Sequence, residues 1–362
     1  MTNNHKTAAI VLAAGKGTRM KSDTTKVLHK MGGLPMLDWV VRCLSRAGVD
    51  RQVVVISPAM AEARDSWKRF ESALFCVQNS ARGTGDAAAS AYRALAGVKK
   101  PPYADAELVT GESGDEPERI QADELLICAG DTPAISSQEI KRFLAMCHSA
   151  RADIGVLAMR VPMPAGYGRI VLTPAGSFER IVEEKDASDE ERKINLCNSG
   201  VLFAKTRVLF ELLAELKPDN QQKEYYLTDC LGLAAKKGMK VAIHEAADWQ
   251  DFLGVNDRVQ MASVENMLVQ RQIAALMAEG VTFHHPQTCR VEVDCVIGPD
   301  SVVGSGVCLE GKTQVGRGCR IGHHVVLDDV TVGDRAVIGA GSVVRNYVVN
   351  PGEYIPPMSM IQ

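Results

Sequence analysis

The chain has 362 residues, a length that suggests two domains. Apolar residues make up 46% of the sequence, enough for a sizeable buried core, and the formal net charge of −3 argues against a general nucleic-acid-binding surface. No apolar run approaches the roughly 18 residues of a membrane span, and the short polar start predicts no signal peptide. We therefore expect a cytoplasmic protein with no membrane or nucleic-acid partner.

Strand and helix patterns alternate from residue 7 to about residue 255. The predicted strands are Ala8–Ala13, Gln52–Ser57, Leu74–Gln78, Glu124–Ala129, Asp153–Arg160 and Val241–Glu245. The predicted helices are Leu37–Ala47, Thr84–Ala96, Ser137–Ser149, Arg207–Leu216 and Tyr225–Lys237. This alternation predicts an α/β fold with a Rossmann-like, mainly parallel sheet and helices on both faces. In such a fold, ligands bind beyond the carboxyl ends of the strands.

The first predicted strand ends in a glycine-rich loop, residues 15–19 (Gly-Lys-Gly-Thr-Arg). The glycines let the backbone approach a ligand, and the loop N–H groups with Lys16, Arg19 and Lys26 favour an anion such as a nucleoside triphosphate. The spacing is not that of a P-loop, and it is not the dinucleotide fingerprint because Met20 replaces the third glycine. An ordinary strand-to-helix turn is the alternative interpretation.

Residues 12–20 (Leu-Ala-Ala-Gly-Lys-Gly-Thr-Arg-Met), with Lys-Val-Leu at 26–28, closely resemble the signature loop of the sugar-phosphate nucleotidyltransferase family. The resemblance implies that Arg19 and Lys26 are catalytic, binding the triphosphate and its developing charge. The loop residues that it implies as nucleotide-binding are Leu12, Ala13, Ala14, Gly15, Gly17 and Thr18.

A second glycine-containing turn, residues 78–85, follows the third predicted strand. Amide and backbone groups in such a turn can read the edge of a pyrimidine through hydrogen bonds. The resemblance implies that Gln78, Gly83 and Thr84 contact uracil and nearby groups. Many relatives carry histidine after the second glycine, where this chain has Asp86.

Residues 98–123 interrupt the alternation of strands and helices. The stretch opens with Lys-Lys-Pro-Pro and continues through an acidic, glycine-containing segment. This composition indicates a surface insertion, either ordered or disordered.

Two oxygen-bearing residues follow predicted apolar segments. Nucleotidyl transfer needs alignment of the reactants and neutralisation of phosphate charge, usually with Mg²⁺ on oxygen ligands. Asp131 follows the strand at 124–129, where an acid can hold a metal or act as a helix N-cap. Asn256 is either a ligand or the N-cap of a long helix predicted over 257–279. The resemblance implies Mg²⁺ ligands at both positions.

Four segments in chain order match segments of the same family: 166–170 (Gly-Tyr-Gly-Arg-Ile), 181–187 (Ile-Val-Glu-Glu-Lys-Asp-Ala), 195–200 (Asn-Leu-Cys-Asn-Ser-Gly) and 224–229 (Glu-Tyr-Tyr-Leu-Thr-Asp). A sugar with many hydroxyls needs such scattered amide, carboxylate and backbone partners. The sugar-phosphate-binding residues that the resemblance implies are Gly168 on the N-acetyl side, Glu183 and Asn198 at hydroxyls, Lys185 at the phosphate, and Tyr226 and Thr228. Alone, each segment has the simpler interpretation of a turn or a solvated face.

Aliphatic residues then recur every six positions, with one slip. They are Val291, Ile297, Val303, Leu309, Val315, Ile321, Leu327, Val332, Ile338 and Val344. The period predicts a parallel β-helix of about three turns, and it resembles the left-handed hexapeptide helix. The extended segment 350–357 is expected to cap the last turn or a neighbour. Four late cysteines fit the repeat better than a zinc site, and we expect reduced, buried thiols.

The predicted organisation is a nucleotidyltransferase domain at 1–256, a connecting helix and linker at 257–289, and a short left-handed β-helix with a tail at 290–362. Residues 7–290 resemble the pyrophosphorylase domain of the bacterial bifunctional UDP-N-acetylglucosamine pyrophosphorylase/glucosamine-1-phosphate acetyltransferases. That resemblance implies Mg²⁺-dependent uridylyl transfer from UTP to N-acetylglucosamine-1-phosphate. Such short helices commonly associate, so a homotrimer is expected.

The resemblance stops at the second activity of these enzymes. Their acetyltransferase site lies on a longer β-helix with a Gly-His-x-x-Tyr segment, which this sequence lacks. We therefore expect no acetyltransferase activity and interpret His323-His324 as a solvated or inter-subunit pair. The alternatives are transfer of another nucleotide to glucose- or mannose-1-phosphate, and a non-catalytic sugar-nucleotide-binding subunit.

Overall fold

The protein is described from a computed structural model, which covers residues 5–62, 70, 73–109 and 116–362. The chain divides into two compact units. The first contains Met1–Leu28 and Met36–Asp257, and the second contains His29–Pro35 and Arg258–Gln362. The hairpin at His29–Pro35 belongs to the second unit although it precedes most of the first in sequence, and no motif of the sequence had indicated this.

The strands up to residue 257 are β1 (Thr7–Leu12), β2 (Lys30–Met31), β3 (Leu34–Pro35), β4 (Arg51–Ile56), β5 (Ala73–Gln78), β6 (Ala106–Leu108), β7 (Glu124–Ala129), β8 (Ile154–Arg160), β9 (Arg169–Leu172), β10 (Phe178–Val182), β11 (Leu196–Lys205) and β12 (Val241–Glu245). The helices are α1 (Met36–Arg46), α2 (Pro58–Glu62), α3 (Thr84–Ser90), α4 (Ser137–Ala150), α5 (Thr206–Leu213) and α6 (Asp229–Lys236).

The first unit is built on one mixed sheet with a parallel centre. The strand order is β10-β9-β11-β7-β1-β4-β5-β6, and β8 pairs with both β11 and β12. Strands β7, β1, β4 and β5 run parallel, as do β8 and β12, and the remaining pairs are antiparallel. The predicted α/β fold with a mainly parallel core is confirmed, and the antiparallel strands β9–β11 carry the sugar-type segments.

Apolar clusters cover both faces of this sheet. In β1, Ala8 and Ile10 belong to one cluster while Ala9 and Val11 belong to the other, as the alternation of side chains along a strand requires. Burial on both faces explains why the central strands are continuous apolar runs. It also explains why polar residues occur where these strands end.

The described parts of the predicted insertion are folded. Strand β6 pairs antiparallel with the end of β5. The side chains of Ala104, Leu108 and Ile120 are buried. The backbone N–H of Ile120 donates to Ala94 O at 2.8 Å. Residues 98–109 and 116–123 therefore complete one edge of the unit and do not form a disordered surface stretch. Residues 110–115, which belong to the acidic, glycine-containing segment, lie outside the described residues.

The second unit contains a hairpin, one long helix and a β-helix. Gly32 and Gly33 both have positive φ, which the two-residue turn between β2 and β3 requires. Helix α7 (Arg258–Ala278) matches the predicted connecting helix. The strands that follow are β13 (Thr282–Phe283), β14 (Arg290–Val291), β15 (Val296–Ile297), β16 (Val302–Val303), β17 (Cys308–Glu310), β18 (Gln314–Val315), β19 (Arg320–Ile321), β20 (Val326–Asp328), β21 (Thr331–Val332), β22 (Val337–Ile338), β23 (Val343–Arg345), β24 (Val348–Val349), β25 (Tyr354–Ile355) and β26 (Met360–Ile361).

These strands stack into three parallel sheets of five, five and four strands, the short left-handed β-helix that was predicted. Every aliphatic residue of the six-residue period is buried. The helix is longer than the predicted three turns, because strands continue on both sides of the repeat. Segment 350–357 is not a separate cap: Ile355 is buried in β25, which pairs with β22.

All ten cysteines are free thiols, and only Cys308 among them is half-buried while the others are buried. Burial raises the pKa of the Cys43 and Cys76 thiols to about 12, so both stay protonated. Within the described ranges, no helix is long and apolar enough to cross a membrane.

Candidate active site

The glycine-rich loop and Gly130-Asp131 lie side by side at the carboxyl edge of the central strands. In register, Leu12 of β1 stands opposite Ala129 of β7. The backbone N–H of Gly130 donates to Leu12 O at 2.9 Å, and a Cβ on Gly130 would come within 3.3 Å of that oxygen. Parallel pairing therefore joins two polar segments that are more than 100 residues apart in sequence.

The glycine-rich loop turns sharply at Gly17, which has φ 58° and ψ 31°. A Cβ at this position would lie 2.6 Å from Lys26 Cβ, so the loop needs glycine for both conformation and space. A short helical turn, Thr18–Met20, follows and buries Met20. Gly15 has open space around it, and Lys16 and Arg19 are exposed.

Four predicted residues converge next to this loop. The Lys26 ammonium forms an ion pair with Asp131 Oδ2, and its Nζ lies 3.3 Å from Asn256 Oδ1. Arg19 Nη2 donates to the same Asn256 oxygen at 3.1 Å. The backbone N–H of Val255 donates to Asp131 O at 2.9 Å, which holds Asn256 beside Asp131.

The structure removes one alternative for Asp131. Helix α4 has Ser136 as its N-cap, and the Ser136 hydroxyl accepts from the N–H of Glu139 at 3.4 Å. Asp131 therefore does not cap the helix that follows its strand. Its side chain is 22% exposed and turns toward Lys26, where it can reach a ligand.

The Asp131 and Asn256 oxygens suit Mg²⁺. Both are hard oxygen donors, and both face one cation, the Lys26 ammonium, so they converge on a single point. Mg²⁺ typically takes one or two protein oxygens and completes its shell with water and phosphate. Among the described residues there is no cluster of three or more acidic, histidine or cysteine side chains that could hold a metal ion.

Gln78 lies at the end of β5 and is 4% exposed. Its Nε2 donates to Asp86 Oδ2 at 2.7 Å and lies 3.4 Å from Gly83 O. Asp86 is completely buried, and its Oδ1 accepts from Arg82 Nη2 at 3.1 Å. The sequence had marked Asp86 as a departure from the family, but it gave no sign of the Arg82 pairing.

The 78–85 turn is joined to the Glu-Tyr-Tyr segment by backbone hydrogen bonds. Tyr225 N donates to Arg82 O at 2.8 Å, and Gly85 N donates to Tyr225 O at 2.7 Å. A Cβ on Gly83, whose φ is 109°, would lie 2.5 Å from Tyr225 O. Thr84 Oγ1 accepts from Leu227 N at 3.1 Å, so this predicted nucleotide contact also has a structural role.

Several predicted sugar-binding residues also meet. Glu183 Oε1 accepts from the Thr228 hydroxyl at 2.8 Å, and a Cβ on Gly168 would lie 3.2 Å from Glu183 Oε2. Asn198 N donates to Gly168 O at 2.8 Å, while Asn198 Oδ1 accepts from Gly200 N at 2.9 Å. Burial raises the pKa of Glu183, and the hydrogen bond from Thr228 opposes that shift.

Lys185 lies on the exposed side of the same region. Its Nζ donates to Gln222 Oε1, and Gln222 Nε2 lies 2.7 Å from the Tyr226 hydroxyl. Gln222 is a contact that the sequence did not indicate. Asp229 is another: burial, then the carboxylates of Glu183 and Asp186, raise its pKa to about 6.

Tyr167 connects the sugar-type segments with the Asp131 side of the site. Burial raises the pKa of Tyr167, a hydrogen bond from the Gly254 backbone opposes this, and the charge of Asp131 adds to it. Tyr167 directly precedes Gly168, the neighbour of Glu183, and its side chain lies within electrostatic range of Asp131. Tyr167 was part of a quoted motif but was not proposed as a site residue.

Profiles of known families match both units. The MobA-like NTP transferase domain matches residues 9–225, and the bacterial transferase hexapeptide, six repeats, matches 294–328 and 312–346. A candidate glucose-1-phosphate thymidylyltransferase of Bacillus anthracis, solved in complex with a sucrose, aligns with a TM-score of 0.56 at 18% identity, over 72% of this chain and 94% of that chain. This likeness shows a shared fold. The two family profiles define the class of the protein, a nucleotidyltransferase with hexapeptide repeats.

Curated relatives identify the family more closely. The bifunctional protein GlmU of Geotalea uraniireducens is 37% identical over 355 residues, covering 98% of this chain and 73% of the relative. The GlmU proteins of Halalkalibacterium halodurans and Enterococcus faecalis are 36% and 33% identical, each over 98% of this chain and over 73% and 72% of their own lengths. The chain belongs to the GlmU family and is a nucleotidyltransferase enzyme.

Proposed function

We propose that this enzyme transfers the uridylyl group of UTP to N-acetylglucosamine-1-phosphate, releasing pyrophosphate. The observation that carries the proposal is the convergence of Arg19, Lys26, Asp131 and Asn256 beside a glycine-rich loop. Two cations and two hard oxygens at one strand edge suit a triphosphate that arrives with Mg²⁺. Membership of the GlmU family supports nucleotidyl transfer, and the resemblance of the sequence to UDP-N-acetylglucosamine pyrophosphorylases implies this substrate pair.

The reaction balances without a covalent enzyme intermediate. A phosphate oxygen of the sugar phosphate attacks the α-phosphorus of UTP in line, a P–O bond forms, and the bond to the departing pyrophosphate breaks. The loop N–H groups orient the triphosphate, while Arg19 and Lys26 stabilise charge that develops on it. Mg²⁺, when held by Asp131 and Asn256, would neutralise phosphate charge.

Lys26 has to change partners during this cycle. In the free protein its ammonium is held by Asp131 and lies 3.3 Å from Asn256 Oδ1, and its side chain is only 11% exposed. A triphosphate offers it stronger acceptors, and a divalent ion competes for the same two oxygens. Nucleotide and metal binding together are therefore expected to turn Lys26 from an internal ion pair toward phosphate.

The sugar half of the proposal rests on a set of polar groups around Glu183. The half-buried Glu183 carboxylate, which already accepts from Thr228, can accept a second hydrogen bond from a sugar hydroxyl. The Gly168 backbone lies close to that carboxylate, because a Cβ added to Gly168 would be only 3.2 Å from Glu183 Oε2. Lys185, exposed nearby, is the proposed contact of the sugar phosphate.

We also propose that this chain lacks acetyltransferase activity and acts in the cytoplasm as a homotrimer. His323 Nδ1 accepts from the Ser305 N–H at 3.0 Å, a contact that fits a structural corner of the β-helix. Val296 and Val348 are 58% and 62% exposed on one flat sheet, which supports association through that face. Light scattering that finds a monomer at micromolar concentration would overturn the trimer. Robust acetylation of glucosamine-1-phosphate from acetyl-CoA would overturn the absence of that activity.

The central experiment measures pyrophosphate release with four nucleoside triphosphates against several sugar-1-phosphates, with Mg²⁺ and with EDTA. We expect the fastest turnover with UTP and N-acetylglucosamine-1-phosphate. A clear preference for another pair would replace these substrates. No turnover with any pair would contradict the proposed reaction and favour the alternative of a non-catalytic sugar-nucleotide-binding subunit.

Arg19→Ala tests the assignment of charge stabilisation, with Arg46→Ala as the matched control. Arg46 is an exposed arginine at the end of α1, outside the proposed site. Arg19→Ala is expected to lower kcat by about a hundredfold, the scale of one lost charge-stabilising donor. Arg46→Ala should leave kcat unchanged, and equal rates for the two variants would contradict the role of Arg19.

A further inference from the structure

Asp86 is a fully buried carboxylate in the first turn of α3, and it has two partners. One oxygen accepts from Gln78 Nε2 at 2.7 Å, and the other accepts from Arg82 Nη2 at 3.1 Å. The Arg82 guanidinium also donates to the backbone oxygen of Tyr103. Gln78 is thus the last member of a chain of contacts that begins in the segment 98–109.

A carboxylate determines which way a neighbouring carboxamide points. The two ends of a glutamine side chain have nearly the same shape, but an ionised carboxylate only accepts hydrogen bonds, so it pairs with the NH₂ end. The second N–H of Gln78 Nε2 faces Gly83 O, 3.4 Å away. Gln78 Oε1 receives no hydrogen bond from any residue in the described ranges, so it is the group left to meet a ligand.

The segment that holds Arg82 is itself well anchored. The Tyr103 ring stacks on Tyr225 with centroids 3.9 Å apart, and its hydroxyl donates to Leu213 O at 2.7 Å. A few residues on, β6 pairs with the end of β5, placing Ala106 opposite Gln78. The segment therefore fixes both the backbone of Gln78 and, through Arg82, the carboxylate that orients its side chain.

We propose that Asp86, held by Arg82 and the 98–109 segment, is a positioning residue that fixes Gln78 Oε1 as a hydrogen-bond acceptor and so selects nucleobases that present an N–H. The inference rests on the proposed function, because it takes Gln78 as a contact of the base. It gives the folded part of the insertion a role in nucleotide specificity.

The expected selection is between uracil and cytosine. Uracil carries a hydrogen on N3, which a fixed carboxamide oxygen can accept, whereas N3 of cytosine is an acceptor. A carboxamide locked in this orientation therefore rejects cytosine, because two acceptors would face each other. If the carboxamide could turn over, its N–H would serve cytosine instead.

The test compares UTP and CTP on the wild type, on Asp86→Asn and on Asp86→Ser. Asparagine has almost the shape of aspartate but can itself turn over, and the serine hydroxyl both donates and accepts, so neither fixes Gln78. Calorimetry with Mg²⁺ gives both Kd values, and pyrophosphate release gives kcat/KM. We expect the preference for UTP over CTP to fall about tenfold or more in each variant, the scale of one mismatched buried hydrogen bond.

Glu211→Gln is the matched control, because it removes a carboxylate from an arginine pair at an exposed position. Arg207 Nε lies 2.7 Å from Glu211 Oε1 on the surface of α5. The control should keep the wild-type preference. Variants of Asp86 that melt at a lower temperature but keep that preference would overturn the proposal and leave Asp86 a purely stabilising residue.

The binding measurement separates this inference from the proposed function. A wild type that prefers UTP in binding but transfers no uridylyl group would contradict the reaction and leave the positioning role standing. A wild type that binds CTP as tightly as UTP would overturn the positioning role directly, with or without folded variants.

Discussion

Gly17→Ala should damage both the fold and the proposed catalysis, because this residue allows the loop to turn around Lys26. A left-handed φ costs a residue with a Cβ roughly 1–2 kcal/mol, and Gly17 has φ 58°. The new Cβ would lie 2.6 Å from Lys26 Cβ, which cannot retreat freely because its ammonium is held by Asp131. Overpacking of this kind typically costs another 1–3 kcal/mol. After a small gain from the stiffer unfolded chain, we expect a loss of about 2–4 kcal/mol in the free energy of unfolding.

The same clash predicts the loss of activity. Restoring an ordinary contact of about 3.4 Å requires the loop or Lys26 to move by about 0.8 Å. A misplacement near 1 Å in a positioned group can cost about a hundredfold in rate. Because Lys26 is assigned to the triphosphate, we expect kcat to fall on this scale even in the fraction of Gly17→Ala that remains folded.

Gly15→Ala is the matched control for stability. It lies two residues earlier in the same loop, but a Cβ there meets nothing within 4 Å. Urea unfolding of both variants and pyrophosphate release at saturating substrates measure the two effects. The reasoning fails if Gly17→Ala unfolds within about 0.5 kcal/mol of Gly15→Ala, the ordinary range of a surface substitution.

Two further predictions concern the region around Glu183. Thr228→Val removes the hydroxyl that donates to Glu183 Oε1 at 2.8 Å, so KM for the sugar phosphate should rise about tenfold, the scale of one lost hydrogen bond to a charged group. Thr228→Ser keeps the hydroxyl and should behave as wild type. Equal KM values for both variants would contradict the proposed role of this hydrogen bond. Burial, Glu183 and Asp186 raise the pKa of Asp229 to about 6 from 3.8, so the folded state binds the proton more tightly and stability falls as the pH rises from about 4 to about 6. Asp229→Asn removes that loss: its melting temperature should exceed that of the wild type at pH 7.5 and match it near pH 4, and a constant difference across this range would refute the linkage.

The sequence predicts the central strands well because both of their faces are buried. The strands at 124–129 and 241–245 occur at the predicted bounds, and the other predicted strands shift by about one residue. A strand buried on both faces is a continuous apolar run, so the polar residues on either side of the run indicate where the strand begins and ends. The antiparallel strands β9 to β11 were not predicted as strands, because their polar, glycine-containing segments had been interpreted only as binding motifs.

Helix α6 shows where local pattern and tertiary contacts disagree. The apolar spacing predicts a helix from Tyr225, but the observed helix begins at Asp229. Tyr225 N instead donates to Arg82 O at 2.8 Å, Tyr225 O accepts from Gly85 N, and Leu227 N donates to Thr84 Oγ1. A helical pattern cannot reveal this competition, because its other partner lies some 140 residues earlier in the chain.

The length of the β-helix was underestimated for a different reason, since its signal is present in the sequence. Val349, Ile355 and Ile361 continue the six-residue spacing after one further slip, and the first two are buried. The prolines at 351, 356 and 357 disguise the period, because proline argues against a strand interior. Here they occupy corners: a Cβ on Gly333 would lie 2.5 Å from Pro351 N, and one on Gly339 would lie 2.3 Å from Pro357 N.

Resemblance and geometry contribute differently to the candidate site. Motif matching brought Gln78 and Lys26 to attention, but a motif cannot say which atoms of a side chain are already occupied. The contacts around Asp86 supply that information for Gln78, since a carboxylate on one side leaves only the carbonyl oxygen for the other. Around Lys26 the same reasoning gives the opposite result: its ammonium is occupied in the free protein and must be released. A substrate that cannot displace the Lys26–Asp131 pair would leave this ammonium away from phosphate, and the charge stabilisation assigned to Lys26 would be lost.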